Sequence, residues 1–399
     1  MPWHDIFDTL ISHSGGWHTI RPPSCCTCVV SEGSSMDLLS KLLKKMVSTK
    51  ASDLYLSTGQ KPAFRLNGKL QGCDVPPLAS GHTSTMAQLI LDQSQSLDFK
   101  ENPEINVAYT VPNIGRFRFN IFRQRNETAM VIRAIQDTVP SFKELGIPSM
   151  LQDIVMLKRG LVLVVGPSGA GKSTTLAAMI DHRNQNEMSH IITIEDPIEY
   201  IINHKRSIVN QREIGTDTNS YHNALTNALR QSPDVIMVGE IRDRDIMSDV
   251  LEFADTGHLV LATLHANNAS QAIERIIHMF PKDKHDQICN AVASNIKAVV
   301  SQILVPTVFG TQSVATELLI VTPRVADLIR RGKINEVQEV MDKDTNSGMC
   351  TMDQSLYQLY CDERISEETA LAYADSVSNM RLQIRLSAPA HSELAKKTN

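Results

Sequence analysis

The stretch from 161 to 180, LVLVVGPSGAGKSTTLAAMI, constrains the fold of this chain more than any other. A five-residue apolar run leads into a glycine-rich turn, and a sequence that suits a helix follows. The turn matches the pattern G-x-x-x-x-G-K-S from Gly166 to Ser173. Only a loop that is nearly free of side chains can bring several backbone N–H groups close to a triphosphate. The order of strand, loop and helix therefore predicts an α/β domain with a phosphate-binding loop.

Each position of this loop has an expected role. Lys172 would place a point charge on the β- and γ-phosphates of ATP, and Ser173 would offer its hydroxyl to Mg²⁺. The N-terminus of the following helix adds the positive end of its dipole. A glycine-rich turn that binds nothing is the alternative, which the flanking strand and helix disfavour. The residues expected to surround the nucleotide are Gly166, Pro167, Ser168, Gly169, Ala170, Gly171, Lys172, Ser173 and Thr174.

Length and composition narrow the class of protein. A chain of 399 residues is long enough for two domains. Its longest apolar runs, such as LVLVV, are far too short to cross a membrane, and residues 1–20 lack the apolar core of a secretory signal. Seven cysteines without two paired C-x-x-C motifs indicate neither a disulfide framework nor a zinc site. We therefore expect a cytoplasmic protein without a transmembrane segment.

The first third of the chain predicts a small α+β domain over residues 36–138. Residues 1–35 have no sustained periodicity and are expected to form a poorly ordered extension, whereas MDLLSKLLKKMV from Met36 predicts an amphipathic helix. In GRFRFNIFRQ, apolar residues alternate with Arg116 and Arg118, which places both arginines on one face of a strand. The strand AMVIRAI carries Arg133. A solvated surface is the simplest interpretation of these arginines.

The middle of the chain predicts a parallel sheet. Residues 139–149 contain two prolines and a glycine and are expected to form a linker. From 150 to 280, the apolar runs LVLVV, HIITI, DVIMVG and GHLVLATL each precede a polar segment. Because ligands of open α/β sheets bind at the carboxyl ends of the strands, these four segments are expected to form one site.

Beyond residue 281 the pattern predicts a mostly helical part as far as residue 386. We expect a helix over 284–303, a strand near 314–321 and several short helices. In TPRVADLIRRG, Thr322 is the expected N-cap, Pro323 the first helical residue and Gly332 the residue just past the end. Residues 387–399 read as a polar tail.

Carboxylates at two strand ends are candidates for the chemistry. Nucleotide hydrolysis needs one carboxylate to orient or deprotonate water and another to hold the Mg²⁺ shell. EDPIEY offers Glu195, Asp196 and Glu199, while VGEIRD offers Glu240 and Asp243. For Glu195 and Asp196, a structural role at the start of a loop before a proline is as plausible as a direct role in the chemistry. For Asp243, a surface ion pair is an equal alternative. Glu199 and Glu240 are the stronger candidates.

His258 and His265 flank the last predicted strand. Their offset of seven residues places them on opposite faces of an extended strand, which disfavours a shared metal ion. His265, at the carboxyl end, could donate a hydrogen bond to a γ-phosphate or to the water around Mg²⁺. A loop histidine that is satisfied by the protein itself is the alternative, and the sequence leaves both open.

Four motifs together resemble those of one family. GPSGAGKSTT, IEDPIEY, DVIMVGEIRD and GHLVLATLHANNA resemble the Walker A, Asp box, Walker B and His box of the secretion ATPases of the type IV pilus and type II secretion superfamily. SDLYLSTGQKPAFRLNGKL resembles the PAS-like N-terminal domain of that family, and GRFRFNIFRQR resembles its arginine-bearing strand. The lack of a four-cysteine zinc motif fits the retraction branch, PilT and PilU. NHKRSIVNQREIG and ADSVSNMRLQIRL are closer to PilU, and VADLIRRG departs from the AIRNLIRE of PilT.

The resemblance implies a fold and a set of roles. The fold would be α/β, with a RecA-like P-loop NTPase domain preceded by a small α+β PAS-like domain and followed by a helical C-terminal part. Glu199 would be the catalytic glutamate and Glu240 the Walker B glutamate near Mg²⁺. Arg116, Arg118 and Arg133 would supply positive charge to the nucleotide.

The resemblance also implies a place in the cell. The chain would form a cytoplasmic homo-hexamer at the inner-membrane base of the pilus and use ATP hydrolysis for retraction, together with a PilT-type ATPase and an inner-membrane platform protein. An adaptor subunit that binds ATP with little turnover is an alternative. A DNA-directed motor is a weaker one, because a net charge of −5 and the absence of a basic run interleaved with aromatics give no expectation of nucleic-acid binding.

Overall fold

The computed structural model describes residues 32–66, 68–136, 138–344 and 347–395. The first part forms a six-stranded sheet in the order β3-β2-β1-β6-β5-β4, in which every neighbouring pair is antiparallel. Its elements are α1 (Glu32–Ser48), β1 (Asp53–Ser57), β2 (Ala63–Leu66), β3 (Lys69–Gly72), α2 (His82–Ile90), α3 (Gln93–Glu101), β4 (Glu104–Val111), β5 (Gly115–Gln124) and β6 (Glu127–Ile135).

The alternation predicted for β5 is present. Phe117, Phe119 and Ile121 are fully buried in the core beneath α1, while Arg116 and Arg118 lie on the other face and are half-buried. Because the side-chain period of a strand is two, this arrangement is dictated by the sequence alone.

One expected boundary of this part is wrong. The first helix begins at Glu32 rather than at Met36, so the boundary between 35 and 36 falls inside α1, where Ser35 is already buried. The expected extension before Glu32 lies outside the described residues.

The expected linker, 139–149, is also partly folded. Helix α4 (Phe142–Leu145) starts at a capping box in which the Ser141 and Glu144 side chains each bond the other residue's backbone N–H. Phe142 and Ile147 are buried in the core of the second sheet.

The second sheet has seven strands in the order β13-β12-β7-β11-β10-β8-β9. The four predicted strands β7, β11, β10 and β8 are parallel neighbours, as the sequence indicated. After α5 (Met150–Val155), the elements are β7 (Gly160–Val165), α6 (Lys172–Asn186), β8 (His190–Glu195), β9 (Ile208–Glu213), α7 (Tyr221–Ala228), β10 (Val235–Val238), α8 (Arg244–Asp255), β11 (Leu259–Leu264), α9 (Ala269–His278), α10 (His285–Asn295), β12 (Ile296–Pro306) and β13 (Gln312–Ile320).

The helix expected over 284–303 is wrong in its second half. Helix α10 ends at Asn295, and residues 296–306 form β12, which pairs in parallel with β7 and in antiparallel with β13. The sheet therefore extends past residue 280, the expected end of the α/β domain. The run IKAVVSQILV has no period-two alternation because both of its faces are covered, and such a run cannot be told from a buried helix by periodicity.

The remaining elements are helical, as predicted: α11 (Pro323–Arg330), α12 (Val337–Lys343), α13 (Met352–Cys361), α14 (Glu367–Tyr373) and α15 (Val377–Ala395). Thr322 caps α11 through a bond to the Val325 N–H, and Gly332 follows the helix with a positive φ, as expected. The polar tail expected from residue 387 is instead helical as far as Ala395, and residues 396–399 lie outside the described part. Within the described ranges, no helix is long and apolar enough to cross a membrane.

Candidate functional site

The glycine-rich loop follows a strand that is buried along its whole length. All six residues of β7 are buried, and the loop turns at Gly166, Gly169 and Gly171, where φ is 144°, 78° and 85°. These values suit glycine because a side chain would be strained there. At Gly166 a Cβ atom would also overlap the backbone carbonyl oxygen of Gln302 in β12. The loop geometry therefore depends on glycine for two independent reasons.

Lys172 lies at the centre of this loop. Its Nζ donates hydrogen bonds to the carbonyl oxygens of Gly166 and Pro167, both at 2.9 Å. Burial lowers the pKa of Lys172, and the negative charges of Glu240 and Glu199 oppose that shift. The charges of the two predicted glutamates thus act on the predicted lysine, and the three residues come from separate segments of the chain.

Two neighbouring side chains, those of Arg242 and His265, contact the carboxylate of Glu240. Its Oε2 accepts from Nε of Arg242 at 2.9 Å, and its Oε1 lies 2.9 Å from Nε2 of His265. Arg242 also forms an ion pair with Asp196 at 3.0 Å. The predicted residues Glu240 and His265 are therefore in direct contact, and Arg242, which the sequence analysis did not assign to the site, contacts Glu240 as well.

His258 lies at the other end of β11. Its ring packs edge-on against Phe253 with centroids 5.3 Å apart, and the length of β11 separates it from His265.

The other candidate carboxylates have local partners. Glu195 ends β8 in a buried position, where it accepts from Thr193 Oγ1 at 2.6 Å and from Gln211 Nε2 at 3.1 Å. Burial raises the pKa of Glu195 to about 7, although these hydrogen bonds oppose the rise. Asp243 is the N-cap of α8 and accepts from the N–H groups of Asp245 and Ile246.

Glu199 is exposed, and its backbone joins the two sheets. The Gln136 N–H, just after β6, donates to the Glu199 carbonyl oxygen at 3.2 Å, and the Ile201 N–H donates back to Gln136 at 2.8 Å. Between them, the Tyr200 hydroxyl lies 3.1 Å from Oγ1 of Thr174 at the start of α6. The segment that carries Glu199 thus contacts both the N-terminal domain and the phosphate-loop helix.

The three arginines have different surroundings. Burial raises the pKa of Glu213 at the end of β9, while the charges of Arg116 and Arg118 lower it, so these two arginines face the second domain. Nε of Arg116 is buried and has no hydrogen-bond partner among the described residues. Arg133 instead pairs with the buried Asp53 at 2.9 Å inside its own domain.

Two cavities border these groups. The larger, 560 Å³, is lined by Gly166, Pro167 and His265 together with polar residues of α9. The smaller, 490 Å³, lies between the β4–β5 turn, Arg116 and Ile201 at the contact of the two domains.

The oxygen donors near the loop fit Mg²⁺. Within the described ranges, no group of three His, Cys, Asp or Glu side chains could hold a metal ion. Mg²⁺ at nucleotide sites, however, takes one or two protein oxygens and completes its shell with phosphates and water. The hydroxyl of Ser173 and the carboxylate of Glu240 are hard oxygen ligands of that kind, so they satisfy this chemistry.

Comparisons with known proteins agree with this geometry. The profile of the family described as type II/IV secretion system protein matches residues 30–373. The protein named type IV pilus ATPase PilU of Pseudomonas aeruginosa is 49% identical over 347 residues, which cover 87% of this chain and 91% of that protein. The type IV pilus retractation ATPase PilT of the same organism is 38% identical and covers 83% of this chain and 96% of its own.

A solved structure has the same fold over most of its length. The crystal structure of the pilus retraction motor PilT with bound ADP gives a TM-score of 0.80 at 40% identity, over 84% of this chain and 96% of that chain. The α/β fold with its mixed second sheet is therefore that of a PilT-like secretion ATPase. The chain belongs to the type II/IV secretion system protein family and, within it, to the PilT/PilU branch of the type IV pilus retraction ATPases.

Proposed function

We propose that this type IV pilus retraction ATPase is a motor subunit in which ATP hydrolysis at the glycine-rich loop moves the N-terminal domain. The observation that carries the proposal is the convergence of Lys172, Glu199, Glu240 and His265, which come from four separate segments of the chain. In this proposal, residues 150–320 form a RecA-like domain and the antiparallel sheet with its helices forms a PAS-like domain.

The roles follow from charge and position. The loop from Gly166 to Thr174 binds the phosphates of ATP through backbone N–H groups, and Lys172 leaves the loop carbonyls to bind the β- and γ-oxygens. Glu199 orients the attacking water and accepts its proton, because it is the exposed carboxylate in electrostatic range of Lys172. His265 and Arg242 hold the Glu240 carboxylate in one orientation.

Ser173 and Glu240 would hold Mg²⁺, which when bound neutralises charge on the phosphate oxygens. Arg116 and Arg118 supply positive charge from the N-terminal domain as the transferred phosphoryl group becomes more negative. Arg133 can join them only if its pair with Asp53 opens.

The coupling to movement runs through Gln136. Its two backbone hydrogen bonds to Glu199 and Ile201 connect the last strand of the N-terminal domain to the segment that carries the proposed catalytic base. A rotation of the N-terminal domain therefore shifts the Glu199 backbone, and a shift of Glu199 during hydrolysis acts on that domain in return.

The proposed assembly and its partners are those expected for the PilT/PilU branch of retraction ATPases. Relatives named for the type IV pilus and its retraction support a cytoplasmic homo-hexamer at the inner-membrane base of the pilus, acting with a PilT-type ATPase and an inner-membrane platform protein. An adaptor that binds ATP with little turnover is the competing function. The intact set of Lys172, Glu199 and Glu240 favours the motor.

Turnover of the purified protein tests the proposal. We expect Mg²⁺-dependent ATP hydrolysis by the parent chain, and a loss of about 10³-fold or more in Lys172→Ala and Glu199→Gln, with unchanged thermal melts. Parental turnover in Lys172→Ala would overturn the assignment of the site. A parent that binds ATP but hydrolyses it no faster than either variant would identify the adaptor.

A further inference from the structure

Two successive residues of β12, Ser301 and Gln302, contact two loops of the proposed site. One is the glycine-rich loop and the other is the loop that follows β11. Ser301 and Gln302 are each 0% exposed. The register places Ser301 beside Val165, the last residue before the glycine-rich loop. Since neighbouring residues of a strand point to opposite faces, the two side chains reach different parts of the site.

Gln302 holds the glycine-rich loop. Its Nε2 donates to the carbonyl oxygen of Ala170 at 2.6 Å, and its own carbonyl oxygen lies against Gly166. In a trans peptide the C=O and the following N–H point in opposite directions. Holding the Ala170 oxygen towards β12 therefore turns the Gly171 N–H away from the sheet, to the side where a loop of this type binds phosphate.

Ser301 holds the loop that follows β11. Its Oγ donates to the carbonyl oxygen of Asn267 at 2.7 Å, two residues after His265. The same loop is fixed by Arg275, whose Nη1 donates to the His265 carbonyl oxygen at 2.8 Å. The position of His265, and through it the orientation of Glu240, thus depends partly on β12.

The Gln302 amide is poorly suited to a purely structural role. Its Oε1 is buried and has no hydrogen-bond partner among the described residues. An unpaired buried acceptor is unfavourable for stability, and an apolar side chain of the same size would avoid it. The useful property of glutamine here is the single donor that it directs at the glycine-rich loop.

From these contacts we infer that Ser301 and Gln302 are positioning residues for the reaction: Gln302 sets the phosphate-binding N–H groups and Ser301 sets His265. The inference rests on the proposed function, because it assigns both loops to ATP. Both residues act through the two loops that they hold, and strand β12, which carries them, was expected to be helical.

The test separates binding from turnover. In Gln302→Met, which keeps the volume and removes the donor, we expect the Kd for ADP to rise about tenfold or more. In Ser301→Ala we expect kcat to fall by about tenfold while the Kd for ADP stays within twofold, and Ser301→Thr should restore kcat because it keeps the hydroxyl. Ser313→Ala in the neighbouring strand is the control, since its buried hydroxyl has no hydrogen-bond partner in the described part of the chain and lies away from both loops.

The outcomes are distinguishable. Thermal melts without nucleotide should match the control variant, which separates positioning from folding. If Gln302→Met melts well below the control, its Kd no longer tests the inference. The test is then whether Ser301→Ala lowers kcat while its Kd for ADP stays unchanged. Parental kcat and Kd in both variants, alongside an inactive Lys172→Ala, would overturn this inference and leave the proposed function standing, whereas an active Lys172→Ala would overturn the proposed function itself.

Discussion

Glu317 offers a quantitative test of how this fold holds its C-terminal part. The residue lies in β13 and is 0% exposed. Its Oε1 accepts from the Ala269 N–H, the first residue of α9, at 2.7 Å, whereas Oε2 has no hydrogen-bond partner among the described residues. Burial raises the pKa of Glu317 to about 7, and the charges of Asp375, Asp342 and Asp353 act in the same direction.

The pKa shift translates into a pH-dependent stability. A rise from 4.5 to about 7 means that the folded chain keeps a proton which the unfolded chain releases in that interval. Stability therefore falls as the pH rises through this window, and at about 1.4 kcal/mol per pKa unit the loss between pH 5 and pH 8 is about 2.5 kcal/mol. A glutamine at this position cannot titrate and keeps the acceptor for Ala269.

We expect the free energy of unfolding of Glu317→Gln, relative to that of the wild type, to rise by about 2.5 kcal/mol between pH 5 and pH 8. This change does not depend on which of the two proteins is more stable at pH 5. Urea unfolding followed by circular dichroism at both pH values measures this difference. Because Glu195 titrates in both proteins, its contribution cancels in the comparison.

Glu336→Gln is the matched control. The Glu336 side chain is 50% exposed and pairs with Lys333 on the surface, so its replacement should leave the difference between pH 5 and pH 8 close to that of the wild type. If the unfolding free energies of Glu317→Gln and the wild type run parallel from pH 5 to pH 8, the buried proton does not exist and the reasoning is refuted.

Two further substitutions test the site and its support. Gly166→Ala should lower the free energy of unfolding by about 1–3 kcal/mol and abolish ATP turnover, because the added Cβ atom overlaps the Gln302 carbonyl oxygen. A thermal melt equal to that of the parent would show that β12 moves to accommodate the Cβ atom at little cost. Arg116→Ala should reduce turnover by about 10³-fold with little change in the melt, since its Nε has no partner in the described chain. Arg133→Ala should instead destabilise the N-terminal domain by about 1–3 kcal/mol, because it leaves the buried Asp53 with a weaker partner; equal effects of the two arginine variants on turnover would contradict this division.

Much of the site could be predicted from short segments of sequence. The glycine-rich loop is defined by residues within eight positions of one another, and its backbone chemistry needs no distant partner. The parallel strands β7, β8, β10 and β11 could be recognised because each is a short apolar run that ends in polar residues. The arginine face of β5 followed from a period of two.

Strand β12 shows where local pattern fails. Most of its residues are apolar, on both faces, because the strand lies between β7 and β13 and is covered on both sides, so the alternation that identifies a strand is missing. Whether such a run pairs with a sheet or coils into a helix depends on partners that are far away in the chain. The contacts of Ser301 and Gln302 could not be predicted from the sequence for the same reason, because they exist only when β12 pairs with β7.

Long-range partners decided the remaining assignments. The sequence by itself determined the phosphate loop, the parallel strands and the alternation of β5, because backbone conformation and side-chain direction depend on near neighbours. Only the tertiary structure paired Arg133 with Asp53, joined Glu240 to His265 and Arg242, and buried Glu317 against α9. Charge pairing and burial depend on which segments meet in space, and that information lies in the packing of the whole chain rather than in any one segment.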